Sequence, residues 1–147
     1  MTPEQLAAAG TEHAHQVALM AWIALTKQWF PAMDKIFAVP NGGERNLIVA
    51  SRLKAEGVKA GVPDLCLPYP VKPFHGLFIE MKKPKGKGAS DDQLKRLGEL
   101  QMDGYAACIC FGYEEAANAL VIYLTGLGKP CTVPFPNARK SFLFGGV

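Results

Sequence analysis

The 147-residue sequence has no apolar run near the roughly eighteen residues that a helical bilayer span requires. Its start, MTPEQLAAAGTEH, lacks the basic segment followed by an apolar stretch that marks an export signal. The expectation is a soluble chain without a membrane partner, not secreted, working in the cytoplasm. Cysteine is sparse: Cys66, Cys108, Cys110 and Cys131 include no C-x-x-C pair, which argues against a zinc site, and they are read as free, mostly buried thiols of a reducing compartment. Charge is modest too. With 20% charged and 49% hydrophobic residues the composition excludes a disordered chain, and no internal repeat or low-complexity tract points to a solenoid.

What remains is the pattern of one globular domain, taken as 1–147. Thr2, Pro3 and Gln5 can start a short helix that Gly10 interrupts. The first main helix is read over 11–30, stopped by Pro31. Its apolar residues Val17, Met20, Ala21, Trp22, Ile23 and Leu25 are too many for one narrow stripe, so it is expected to be deeply buried. A short strand follows at 35–39, then the turn residues of 40–43, and a helix over 44–56 that Gly57 ends. Strands at 64–67 and 76–82 flank the proline-rich link 68–73, which suits a hairpin or an irregular loop. Ser90 and Gln93 form a capping box for a helix closing at Gly104. A buried strand at 105–111 and a helix at 113–124 complete the order, while 125–147 reads as a mostly irregular tail. The fold class is α/β: helices around a mixed central sheet.

The formal charge of +3 permits a polyanionic partner without requiring one. Distribution is more telling: Lys82, Lys83, Lys85 and Lys87, four of sixteen basic residues, crowd the Pro- and Gly-broken stretch MKKPKGKGAS. Just ahead of it, LFIEMK begins as an apolar strand and ends with an acid and an amine two positions apart. Alternation puts Glu80 and Lys82 on one face. For a lone Glu-x-Lys the ordinary explanation is an ion pair where a strand meets solvent. Here Pro63-Asp64 lies sixteen positions upstream of Glu80, at the start of the preceding strand. Antiparallel pairing would bring Asp64, Glu80 and Lys82 together. Two hard carboxylates and a backbone carbonyl, that of Met81, can supply part of an oxygen shell for Mg2+, and a neighbouring lysine can orient a water and stabilise phosphate charge.

With these residues in place the sequence resembles the PD-(D/E)xK nucleases, and within them the virus-type replication-repair nuclease (VRR-NUC) family in its stand-alone viral and bacterial form. The matching pieces are Glu12; Val39-Pro40-Asn41-Gly42-Gly43 with Arg45; Leu53-Lys54-Ala55-Glu56-Gly57; Gly61-Val62-Pro63-Asp64; His75-Gly76-Leu77 leading to Glu80-Met81-Lys82; Ser90 to Gln93; and Gly104-Tyr105, spanning about 11–124. The resemblance implies a restriction-endonuclease-like core that hydrolyses DNA with Mg2+ or Mn2+. Glu12, Asp64 and Glu80 would be metal ligands and Lys82 the catalytic lysine, with Gln93 beside it. It also implies a homodimer acting on branched DNA, four-way (Holliday) junctions above all, in DNA repair.

Plainer readings stand beside these. Glu12 also suits a helix N-terminus as a carboxylate favoured by the dipole, and Gln93 also suits position N3 of a capping box. His13, His15 and His75 have no nucleophile or metal spacing to serve and are read as structural. Arg45, Arg52, Lys59, Lys83, Lys85 and Lys87 are candidate phosphate contacts, although any one taken singly is more often a solvated surface charge. No zinc finger or other base-reading module is present, which disfavours strict sequence recognition.

Overall fold

The computed structural model describes residues 1–40 and 46–126. A five-residue helix α1 (Pro3–Ala7), capped by Thr2, leads into α2 (Glu12–Thr26), whose Thr11 hydroxyl accepts from the Ala14 amide. A 3-10 turn at Pro31–Lys35 follows, then β1 (Phe37–Ala38) and α3 (Leu47–Ala55) with Asn46 as its cap. Next come β2 (Leu65–Leu67), β3 (Leu77–Lys82), α4 (Asp91–Met102), β4 (Ala106–Phe111) and α5 (Tyr113–Thr125). The expected turn at 41–43, Arg45 and the tail beyond 126, with Cys131, lie outside the described residues.

The four strands lie in the order β1-β2-β3-β4, antiparallel for the first two pairings and parallel between β3 and β4. The sheet is therefore mixed, as expected, and the strands around the proline-rich link do pair antiparallel. The parallel pair needs a crossover, which α4 supplies. Alternation along β3 sends Leu77, Ile79 and Met81 to the face covered by α2 and α5, where they join Leu19, Trp22, Leu120 and Tyr123 in the main core. Phe78, Glu80 and Lys82 point to the other face, on which α4 rests through Leu97. Tyr123 ties the β2–β3 link to the core, its hydroxyl donating to the Tyr69 carbonyl at 2.6 Å and accepting from the Val71 amide at 3.2 Å.

Two expectations need correcting. α2 is buried on one face only: Ala14, Ala18, Leu19, Trp22 and Ile23 are enclosed, whereas Val17, Met20 and Leu25 are exposed, Leu25 by 61%. It packs against α1, α5, β3 and the 3-10 helix, and the apolar residues turned away from them meet solvent despite their composition. The chain between 27 and 35 is a turn and a 3-10 helix, so the helix read to residue 30 stops at Thr26 and the strand read from 35 begins at Phe37. Pro31 starts the 3-10 helix, a position where its missing amide costs nothing. α3 differs from the other helices of eight or more residues in burying none of its own, with Leu47 and Ile48 exposed by 87% and 73%. Among the described residues no helix is long and apolar enough to cross a membrane, and Cys66, Cys108 and Cys110 are free and buried.

Candidate active site

The β2–β3 register pairs Leu65 with Ile79, so one step further Asp64 faces Glu80 across the strands. Asp64 is fastened there: its Oδ2 accepts from the Met81 amide at 2.7 Å. Glu12 comes from a separate element, as the first residue of α2, next to the Thr11 cap. The three carboxylates converge, each offering one oxygen within 4.8 Å of the others. Their settings differ: Glu12 is exposed, Asp64 half-buried, and Glu80 only 2% exposed.

Burial first, then the hydrogen bond and charge of Asp64, push the Glu80 carboxyl up to about 9; Lys82 opposes the shift and Glu12 adds to it. Placing three acids so close costs free energy unless a cation answers them. Glu80 Oε1 is buried and has no hydrogen-bond partner. A buried polar atom left unpaired is unusual enough to require a reason, and a hard cation held by all three acids supplies one. The acid set consists of oxygen donors of the kind that Mg2+ and Mn2+ prefer.

Lys82 reaches the same spot from β3, its Nζ 4.0 Å from Glu80 Oε2 and donating to Gln93 Oε1 at 3.0 Å. Gln93 Oε1 also accepts from the Ser90 amide at 2.8 Å, and the Gln93 amide donates to the Ser90 hydroxyl at 3.3 Å. The capping box thus fixes the side-chain oxygen that receives the lysine. The Lys82 carbonyl accepts from the Gly112 amide at 2.7 Å, which anchors the end of β3.

Beyond Lys82 the chain turns sharply, the Gly86 amide donating to the Lys83 carbonyl at 2.9 Å. Pro84 lies against Gly112, where a Cβ would come within 3.2 Å of the proline ring. Lys83, Lys85 and Lys87 are all exposed on this rooted segment. Arg52 on α3 and Lys59 beyond it are exposed, and the structure gives neither a hydrogen bond nor an ion pair to the acids. His15 is structural: its Nδ1 accepts from the Tyr113 amide at 3.0 Å, and burial lowers its basicity. His75 packs on Gly104 and edge-on to Tyr105, while His13 is exposed. Gly61 is the contributor that sequence reasoning passed over, noted only as part of a matching stretch: it touches the backbone of α4.

A mixed sheet with helices on both faces, carrying an acidic cluster where β2 begins and β3 ends, defines an α/β protein of nuclease type. The sequence profile of the VRR-NUC domain matches residues 3–116, and the chain belongs to that family. The match takes in α1, ahead of the stretch that carries the motifs. A solved structure described as a VRR_NUC domain protein is 30% identical and aligns with a TM-score of 0.67 over 81% of this chain and 96% of that one. No curated protein matches the chain.

Proposed function

We propose that this protein is a PD-(D/E)xK endonuclease that hydrolyses DNA phosphodiester bonds with Mg2+ or Mn2+, and that it resolves four-way junctions as a homodimer. The observation that carries the reading is the convergence of Glu12, Asp64 and Glu80 around one point, with an unpartnered buried Glu80 oxygen and Lys82 beside it.

Glu12, Asp64 and Glu80, with the Met81 carbonyl, would hold the ion. Once bound, it supplies Lewis acidity: it lowers the pKa of a water and offsets charge on phosphorus-bound oxygens. Lys82, aimed by Gln93, orients the attacking water and stabilises the charge that builds on the phosphate. Attack is in line, a bond forming from water oxygen to phosphorus as the bond to the 3′ oxygen breaks, which leaves a 5′ phosphate. Lys83, Lys85 and Lys87 offer the strand a cationic margin next to the acids, with Arg45, Arg52 and Lys59 as further phosphate contacts.

One such site cuts one strand, and resolving a junction takes two matched cuts, which twofold symmetry provides. The exposed apolar residues of α3 and of the outer face of α2 favour assembly. The deciding experiment compares labelled four-way junctions, flaps, single strands and plain duplex side by side in Mg2+ and in Mn2+. Paired cuts confined to the junction are expected. Preference for unbranched duplex removes the junction assignment, and no cleavage of any substrate with either ion removes the nuclease assignment itself.

A further inference from the structure

The site has two halves, carried by different parts of the chain. The acids sit on the loop before β2, on β3 and on α2; the glutamine that receives Lys82 sits on the first turn of α4. Something must set the distance between the Asp64 loop and that turn. Gly61, three residues before Asp64, lies directly against it.

A Cβ built on Gly61 would come 2.4 Å from the Asp92 carbonyl oxygen, 2.6 Å from its carbon and 3.0 Å from the Gln93 nitrogen. All three are backbone atoms of α4, which cannot swing aside as the end of a flexible side chain can. The glycine also has a φ of +78°, a conformation that L side chains rarely adopt. Between Gly61 and Asp64 stands the buried Pro63, which leaves little freedom to absorb a shift. From this contact two short paths run to the chemistry: along the loop to Asp64 and its bond from the Met81 amide, and through Gln93 to Lys82.

We infer that Gly61 is a positioning residue: its bare Cα seats the acid-bearing loop on the Asp92–Gln93 peptide and thereby holds Gln93, and through it Lys82, in register with the carboxylates. This rests on the nuclease reading for its kinetic consequence but not for its geometric one. A side chain at residue 61 must force the Asp64 loop and the first turn of α4 apart, which withdraws Gln93 from Lys82, while Glu80 and Glu12 stay on β3 and α2.

The test compares Gly61→Ala with Gln93→Ala and with Gly57→Ala. Gly57 also has a positive φ, +102°, but nothing lies within 4 Å of its missing Cβ, so that variant carries backbone strain without the contact. Gly61→Ala and Gln93→Ala are expected to lower kcat on junction DNA by a similar factor, roughly 10- to 100-fold, the scale of a 1 Å misplacement. KM should change little, the double variant should be no slower than Gly61→Ala alone, and Gly57→Ala should keep the wild-type kcat. Independently of activity, the NMR resonances of the Lys82 Cε and Nζ should move the same way in Gly61→Ala and Gln93→Ala but not in Gly57→Ala. Wild-type kcat with unmoved Lys82 resonances in Gly61→Ala overturns the inference. If no DNA is cleaved by the wild type, the nuclease reading fails and the resonances alone decide the positioning. Should Gly61→Ala not fold, the wild-type protein decides: a nuclear Overhauser contact between the Gly61 α-protons and the Gln93 amide supports the inference, and its absence defeats it.

Discussion

Glu80 carries the sharpest chemical demand of any residue here. Its carboxyl is raised from 4.5 to about 9, so without a cation it holds a proton at neutral pH. A group whose folded pKa lies above its unfolded one stabilises the fold at low pH, and that contribution is lost as pH rises through the folded value. For Glu80 the window runs from about 4.5 to about 9, so the cation-free protein should lose stability steadily across it. Glu80→Gln should flatten that decline and raise the melting temperature at neutral pH. Metal binding requires the carboxylate and should release close to one proton near pH 7. Calorimetry in two buffers of different ionisation enthalpy measures that number, and a release of zero would contradict the proposed metal site. In activity, Asp64→Ala and Glu80→Ala should abolish cleavage and metal binding together. Lys82→Ala should leave metal binding largely intact while lowering kcat by about 10²–10³-fold. Near-normal turnover in any of the three refutes the assignment.

Among the elements, the turn after β3 gives the clearest separation of binding from chemistry. It is rooted by the Lys83–Gly86 hydrogen bond and by Pro84 against Gly112, so Lys83, Lys85 and Lys87 are held near the site without belonging to it. Changing all three to glutamine should weaken DNA binding on every sequence and flatten its salt dependence by up to about three units of slope, at roughly 0.9 for each phosphate no longer neutralised. Single-turnover cleavage at saturating protein should survive; an unchanged salt slope would place the turn away from DNA. Much at this scale was legible beforehand. The prolines of 68–73 allowed a hairpin or an irregular loop, and the antiparallel pairing is the hairpin, while the Ser90–Gln93 spacing announced both α4 and its capping box. The side of α2 that meets the core was not legible, because a count of apolar residues does not say where the neighbours lie. Nor was the contact of Gly61, since it depends on the close approach of two backbones about thirty residues apart in the chain, and a glycine in a loop gives no sign of what presses on it.

For the whole molecule, convergence of Asp64, Glu80 and Lys82 followed from strand alternation plus one pairing, whereas the place of Glu12 needed the family resemblance. Oligomeric state belongs to this scale. The protomer mass is 15.9 kDa, and light scattering at micromolar concentration should report about twice that. A monomer at concentrations that support junction cleavage would defeat the dimer. The sheet itself limits how two copies can meet. On the side of β4 away from β3, the Ala107 carbonyl accepts from Gln101 Nε2 at 3.0 Å and the Phe111 amide donates to Glu115 Oε1 at 3.3 Å. Two side chains thus occupy backbone groups that an incoming strand would need. At the other border β1 has only two residues. Among the described residues, strand-to-strand addition of a second copy through β4 is thereby disfavoured, and open-ended fibre growth is hindered at the longer of the sheet's two margins.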